Sequence, residues 1–364
     1  MKKMMWSFSF LLIGFACTGK KEAASPVVDA SAPAAAEAAK STSGKEVNLS
    51  IWANYLTEAQ QQKFMESTGI KLNISNFSSN EELLAKIQSG ASGIDVAVPS
   101  DYMVQIMSKL SLLEKIEIKS IPNSQELSPD FLGKSYDPAN EFSVPYAWST
   151  TGIAIHKDLY KKDLKSWKDF FSREDLKGKL SLLDDVREVM AAALKSLGFS
   201  INSTQLEELK KATEIVKKAR QRIKMFRSET VDALVNKEVA VAQAYSTDAL
   251  QAAAKTDGKI QFIIPDDGGA FAIDNLVIIK GSNRLTEARA LINFLLSVEN
   301  NVEFVKNIRA GPVLTKTKAL LPVELQNNTA LFPPKAQLDK LEKIEDIGDF
   351  TQEYEKAWTD IKSQ

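Results

Sequence analysis

From Val47 to Leu110 the chain alternates strand-like and helix-like stretches three times, and this rhythm constrains the fold more than any other feature. Val47 to Trp52 alternates apolar and polar residues, the pattern of a half-buried strand. Thr57 and Glu58 open a helix that Gly69 ends. Ile70, Leu72 and Ile74 alternate in a second strand, and Ser79 to Gln88 forms a helix broken by Gly90 and Gly93. Ile94 to Val98, ending at Pro99, predicts a strand buried on both faces, followed by a helix over Tyr102 to Leu110. Three such units call for an α/β fold with an open, mostly parallel sheet and helices on both sides.

A loop-rich stretch with Pro122, Pro129 and Pro138 follows. Val144 to Trp148 then leads into a strand at Thr151 to Ile155, where the chain is expected to enter a second lobe. Further strands are predicted at Leu180–Leu183, Val239–Tyr245, Ile260–Pro265 and Phe271–Ile279, with helices between them and an amphipathic end from Asp346 to Ile361. A length of 364 residues suits two domains. Gly268-Gly269 matches neither a dinucleotide fingerprint nor a phosphate loop.

A formal net charge of −1 argues against a nucleic-acid partner. The single histidine, His156, leaves little room for histidine-based catalysis or a metal site; it reads as an ordinary, partly exposed residue. The single cysteine, Cys17, excludes an intramolecular disulfide and stands after a basic start (Lys2, Lys3) and a short apolar run from Phe8 to Phe15. Residues 1–17 therefore look like a bacterial lipoprotein signal with Cys17 as the lipidated residue, although Gly14 stands where that pattern usually carries Leu. Residues 18–46, rich in Ala, Pro and Ser, read as a flexible tether.

The chemistry-bearing motif is Leu183-Asp184-Asp185-Val186-Arg187-Glu188, at a predicted strand-to-helix junction. Asp185 and Glu188 share a helix face. They form a capping box, worth about 1 kcal/mol, or a pair of carboxylates facing a cleft and suited to an organic cation; such junctions point at the binding crevice of open α/β sheets. Asp184 is the poorer candidate. Asp274 lies inside an apolar strand, where a carboxylate needs a partner, water or a ligand. Trp52 and Tyr55 follow the first strand, Ser100 and Tyr102 the third, and Tyr245 another. Each aromatic is a core residue or part of a wall that meets an ammonium group by cation–π attraction.

These segments resemble the periplasmic spermidine/putrescine-binding proteins of ABC importers. The likeness runs from Val47 to the C-terminus and rests on Ile51-Trp52-Ala53-Asn54-Tyr55, Val98-Pro99-Ser100-Asp101-Tyr102, Val144-Pro145-Tyr146-Ala147-Trp148, the Asp184–Val189 motif and Asp267-Gly268-Gly269-Ala270-Phe271-Ala272-Ile273-Asp274. The resemblance implies two α/β lobes of the periplasmic-binding-protein fold, type II-like, joined by a hinge and closing on a polyamine. It puts the ligand residues at Trp52, Tyr55, Ser100, Tyr102, Asp185, Glu188, Tyr245 and Asp274, with aromatics on the methylenes and acids on the amines. The chain departs from the pattern at Ala53, Tyr245, Ala272 and Ile344: the acids remain, and part of the aromatic wall is lost. The lobes are expected at 47–148 with 274–310, and at 149–273 with 311–364.

The function expected is therefore that of a periplasmic, lipid-anchored solute-binding protein. It would capture a putrescine- or spermidine-class amine and deliver it to ABC permease subunits, acting as a monomer without cofactor, metal or catalytic residue. Another organic cation as ligand, or ligand sensing instead of transport, are the alternatives. A hydrolase using Asp185 and Glu188 fits poorly, because two acids on one helical turn do not flank a scissile bond.

Overall fold

The computed structural model describes residues 45–90 and 93–363. The expected signal segment, Cys17 and the tether as far as residue 44 lie outside the described residues. The tether stops short of its expected end at 46, because Glu46 already pairs as a strand residue.

The first half follows the predicted rhythm: β1 (Glu46–Trp52), α1 (Glu58–Thr68), β2 (Lys71–Phe77), α2 (Asn80–Gln88), β3 (Val96–Ala97), α3 (Asp101–Lys109) and β4 (Leu113–Glu114). Local chemistry sets the ends of α1. Thr57 Oγ1 accepts the Gln60 N–H, Gln60 Oε1 accepts the Thr57 N–H, and Gly69 takes the left-handed conformation at φ 67°. After a run of short 3₁₀ turns comes β5 (Ser143–His156), then α4 (Trp167–Ser172), β6 (Leu180–Leu182), α5 (Val186–Ser196), α6 (Leu206–Ala219) and β7 (Ile223–Phe226). Next are α7 (Thr230–Val235), β8 (Val241–Tyr245), α8 (Ser246–Lys255), β9 (Ile260–Ile263), β10 (Gly269–Ile279), α9 (Leu285–Leu295) and α10 (Val298–Ile308). Short strands β11 (Gly311–Pro312) and β12 (Leu341–Lys343) precede a C-terminal helix, Thr351–Lys362.

The strands run in the order β2-β1-β3-β10-β5-β8-β6-β7. Pairing is parallel on the two outer sides, β2-β1-β3 and β8-β6-β7, and antiparallel where β10 and β5 link them. β5 is one continuous strand where the sequence suggested two pieces: Ser143–Thr150 pairs with β10, and Thr151–Ile155 pairs with β8. Gly152 sits in this passage because a Cβ there would collide with the Ile263 carbonyl of β9.

The two largest hydrophobic cores lie on either side of the linking strands. One gathers Val47, Leu49, Ile51, Val144, Leu276, Leu291 and Phe304; the other gathers Leu180, Leu182, Val189, Met190, Val216 and Tyr354. The segment from 311 departs from its expected place in the second lobe. Val313, Leu314, Leu321 and Leu331 belong to the first core. The reason is a long-range contact: Trp148 Nε1 donates to the Pro312 carbonyl at 3.1 Å, and its ring lies where a Cβ on Gly311 would be. Only after Leu331 does the chain reach the second core, through Tyr354 and Ile361. His156 also differs from expectation. It is fully buried at the end of β5, neither ring nitrogen has a partner among the described residues, and burial holds its pKa below the ordinary value.

Candidate functional site

Strand ends of both halves open on one cavity, which surrounds about 660 Å³ of empty space. All eight candidate residues line it: Trp52, Tyr55, Ser100 and Tyr102 from the first half, Asp185, Glu188 and Tyr245 from the second, and Asp274 from linking strand β10. No Lys, Arg or His is among the described residues that line it.

Asp274 sits where the β10–β5 register slips by a bulge. Its Oδ2 accepts the Tyr55 hydroxyl at 2.7 Å and its Oδ1 accepts the Ser100 hydroxyl at 2.9 Å. Ser100 is held in turn by Asn80, whose Oδ1 accepts the Ser100 N–H and whose Nδ2 donates to Ser100 Oγ. Tyr55 and Ser100 thus orient the carboxylate as well as lining the wall. Burial raises the Asp274 pKa to about 6 despite these bonds.

Asp185 fills both roles left open by the sequence. It is the N-cap of α5, with Oδ1 accepting the Glu188 N–H at 3.1 Å, and its Oδ2 accepts the Tyr245 hydroxyl at 3.4 Å on the cavity side. The reciprocal capping-box bond from Glu188 is absent among the described residues. Glu188 Oε2 is instead buried without a partner. Burial, then mutual repulsion with Asp185, pushes the Glu188 pKa up; burial and the Glu81 charge do the same for Asp185. Buried Gln243 of β8 fixes the turn: its Oε1 accepts the Leu183 N–H and its Nε2 donates to the Glu188 carbonyl. Asp184 lies outside the cavity lining and bonds Lys362 of the C-terminal helix.

Arg187, between the two acids in sequence, points the other way and is buried. It donates to the Glu345 carbonyl and to Asn202 Oδ1, and its guanidinium lies 5.5 Å from the Tyr102 ring and 5.3 Å from the Tyr354 ring. Tyr102 donates its hydroxyl to Glu81 at 2.9 Å. Trp52 packs 4.4 Å from Phe77 and 6.1 Å from Tyr245 by ring centroids, so the two halves meet across the cavity through aromatic faces.

Two acids of the lining went unread in the sequence, Asp248 and Glu229. Asp248 lies in the first turn of α8, accepts the Thr230 N–H and hydroxyl, and is raised to about 6 by burial. The signal was available: Tyr245-Ser246-Thr247-Asp248 is a strand-to-helix junction of the same kind as Leu183-Asp184-Asp185. Glu229 meets Ser78 of the other half at 3.5 Å, a contact no local pattern announces. The four departures from the family pattern, Ala53, Tyr245, Ala272 and Ile344, all face the same cavity.

Carboxylates buried between aromatic walls at the strand ends of a two-lobed α/β fold make a site of the solute-binding kind, chemically suited to a small cation. The chain belongs to the bacterial extracellular solute-binding protein family, whose model matches residues 59–333. Among its relatives, the spermidine/putrescine-binding periplasmic protein of Salmonella typhimurium is 32% identical over 315 residues, covering 86% of this chain and 90% of the relative. The putrescine/cadaverine-binding protein of Pseudomonas aeruginosa is 31% identical over 340 residues, covering 90% of this chain and 96% of the relative. The solved structure of the TpPotD lipoprotein of Treponema pallidum superposes with a TM-score of 0.77 at 29% identity, covering 88% of this chain and all of that one.

Proposed function

We propose that this protein binds a polyamine of the putrescine–spermidine class in the inter-lobe cavity and delivers it to the membrane subunits of an ABC permease. In this reading it works as a monomer held on the extracytoplasmic side by a lipid on Cys17. The observation that carries the proposal is the charge of the cavity: Asp185, Glu188, Asp248, Asp274 and Glu229 line it with no basic side chain among them. A buried carboxylate without a counter-charge is costly. A flexible dication with a methylene spine relieves that cost at both ends, while Trp52, Tyr55, Tyr102 and Tyr245 take the hydrocarbon and supply cation–π attraction. The amine-binding relatives point to the same ligand class.

A second reading, a bulkier organic cation, is favoured by Ala272 and Ile344, which leave part of the wall without an aromatic ring. Tryptophan fluorescence titrations with putrescine, cadaverine and spermidine, on the parent chain and on Ala272→Trp, separate the two. A polyamine site predicts saturable quenching or enhancement in the parent. The added ring then gains about 0.5–2 kcal/mol, up to roughly thirtyfold in affinity. No response in either protein would overturn the polyamine assignment.

A further inference from the structure

A second concavity, sharing no lining residue with the amine cavity, lies beside β9 and surrounds about 1520 Å³ of space open to solvent. One wall is β9 itself, an edge strand whose only partner among the described residues is β5. The Lys157 N–H donates to the Lys259 carbonyl at 2.9 Å, which places 259, 261 and 263 toward β5 and turns the backbone groups of Ile260, Phe262 and Ile264 outward. Among the described residues these outward groups have no hydrogen-bond partner; pairing resumes only at Asp266, whose N–H donates to the Lys165 carbonyl at 2.7 Å.

The second wall is the connection from Lys157 to Lys165, and it is basic. Lys162 is paired with Asp175 at 2.7 Å, but Lys157, Lys161 and Lys165 have no carboxylate within 4.0 Å among the described residues. Of the two acids at the groove, Asp266 is engaged by Lys340 at 3.4 Å. Unpaired strand edges are templates for another chain, and lysines beside an edge repel a second copy of the same basic surface. The combination admits a strand of opposite charge.

We propose that this groove docks an acidic, extended polypeptide segment of a partner protein. The segment adds to β9 as a strand, and its carboxylates meet Lys157, Lys161 and Lys165. Main-chain pairing supplies affinity and the lysines supply selectivity, as in other cases of strand addition.

The test uses the full chain and three fluorescein-labelled six-residue peptides: alternating glutamate and valine, alternating lysine and valine, and the glutamate–valine sequence N-methylated at every backbone nitrogen. Fluorescence anisotropy should show saturable, salt-sensitive binding of the glutamate–valine peptide only, with the N-methylated peptide at least tenfold weaker because it has no backbone N–H donors. The double variant Lys161→Glu/Lys165→Glu should lose at least tenfold in affinity while its amine binding and melting temperature stay at parent values. Equal binding of the N-methylated peptide, or unchanged binding in the charge-reversed variant, would overturn strand docking. So would lysine-dependent binding to phosphatidylglycerol vesicles with none to the peptide, which would assign the groove to a lipid surface.

Discussion

At the scale of single residues, burial raises the acids in and around the cavity above the ordinary carboxylate range. Burial takes Asp248 and Asp274 up to about 6 and Asp101, just behind the cavity, to about 7; Asp185, Glu188 and Glu81 are raised by burial as well. Exposed carboxylates in an unfolded chain titrate near pH 4. Between that pH and the raised values the folded, amine-free protein holds more protons than the unfolded one, so its stability is greatest at the acid end and is lost as pH rises through about 6 to 8. Differential scanning fluorimetry should therefore show a lower melting temperature at pH 8 than at pH 5.5 without amine. Saturating putrescine should raise it most at pH 8, where the carboxylates are ionised. A melting temperature that climbs steadily with pH in the amine-free protein would contradict the buried-acid account.

The double role of Asp185 gives a sharper test. Asp185→Asn keeps an Oδ1 to accept the Glu188 N–H, so the cap of α5 survives and thermal stability should remain within about 1 kcal/mol of the parent. The charge at the cavity is lost, and a charge-assisted hydrogen bond is worth about 1.5–3 kcal/mol, so putrescine affinity should drop by roughly 10- to 150-fold. Lost stability with retained affinity would return this residue to a purely structural role.

At the scale of elements, strand-to-helix turns build the site, and their legibility was uneven. Asp185 could be read because a capping signature and an acidic pair coincide in a short window. Asp274 could be read because a carboxylate in Phe271–Ile279 contradicts its apolar surroundings. Asp248 was missed because Thr247 and Asp248 look like an ordinary helix start, and only the depth of α8 buries the acid. His156 was misjudged for the complementary reason: nothing in the local pattern tells that β8 and β9 both cover the end of β5. Gln243 is another residue whose role comes entirely from its neighbours. Gln243→Leu leaves the Leu183 N–H buried without its partner, at about 1–3 kcal/mol, and removes a second bond from the Glu188 carbonyl, which lies within α5. It should lower both the urea midpoint and putrescine affinity, where Asp185→Asn lowers affinity alone.

At the scale of the whole molecule, three passages of chain join the two cores: β5, β10 and the stretch after Leu331. The alternation of strands and helices made the α/β class evident in the sequence. The path of the third passage was not, because the pinning of Gly311 and Pro312 by Trp148 is a contact between residues 164 positions apart. Several connections allow a hinge rotation without the halves sliding. Small-angle scattering should show a smaller radius of gyration with saturating putrescine than without, and an unchanged profile would argue against closure.

In the proposed function, the acids of the cavity await an organic dication. Isothermal titration calorimetry with putrescine and spermidine, at low salt and pH 7 in two buffers of different ionisation enthalpy, tests it most directly. Saturable one-to-one binding at micromolar or tighter affinity is expected, with proton release seen as a buffer-dependent heat and with affinity falling toward pH 5 as the carboxylates take up protons. Absence of heat in both buffers with both amines, from protein freed of co-purified ligand, would contradict it.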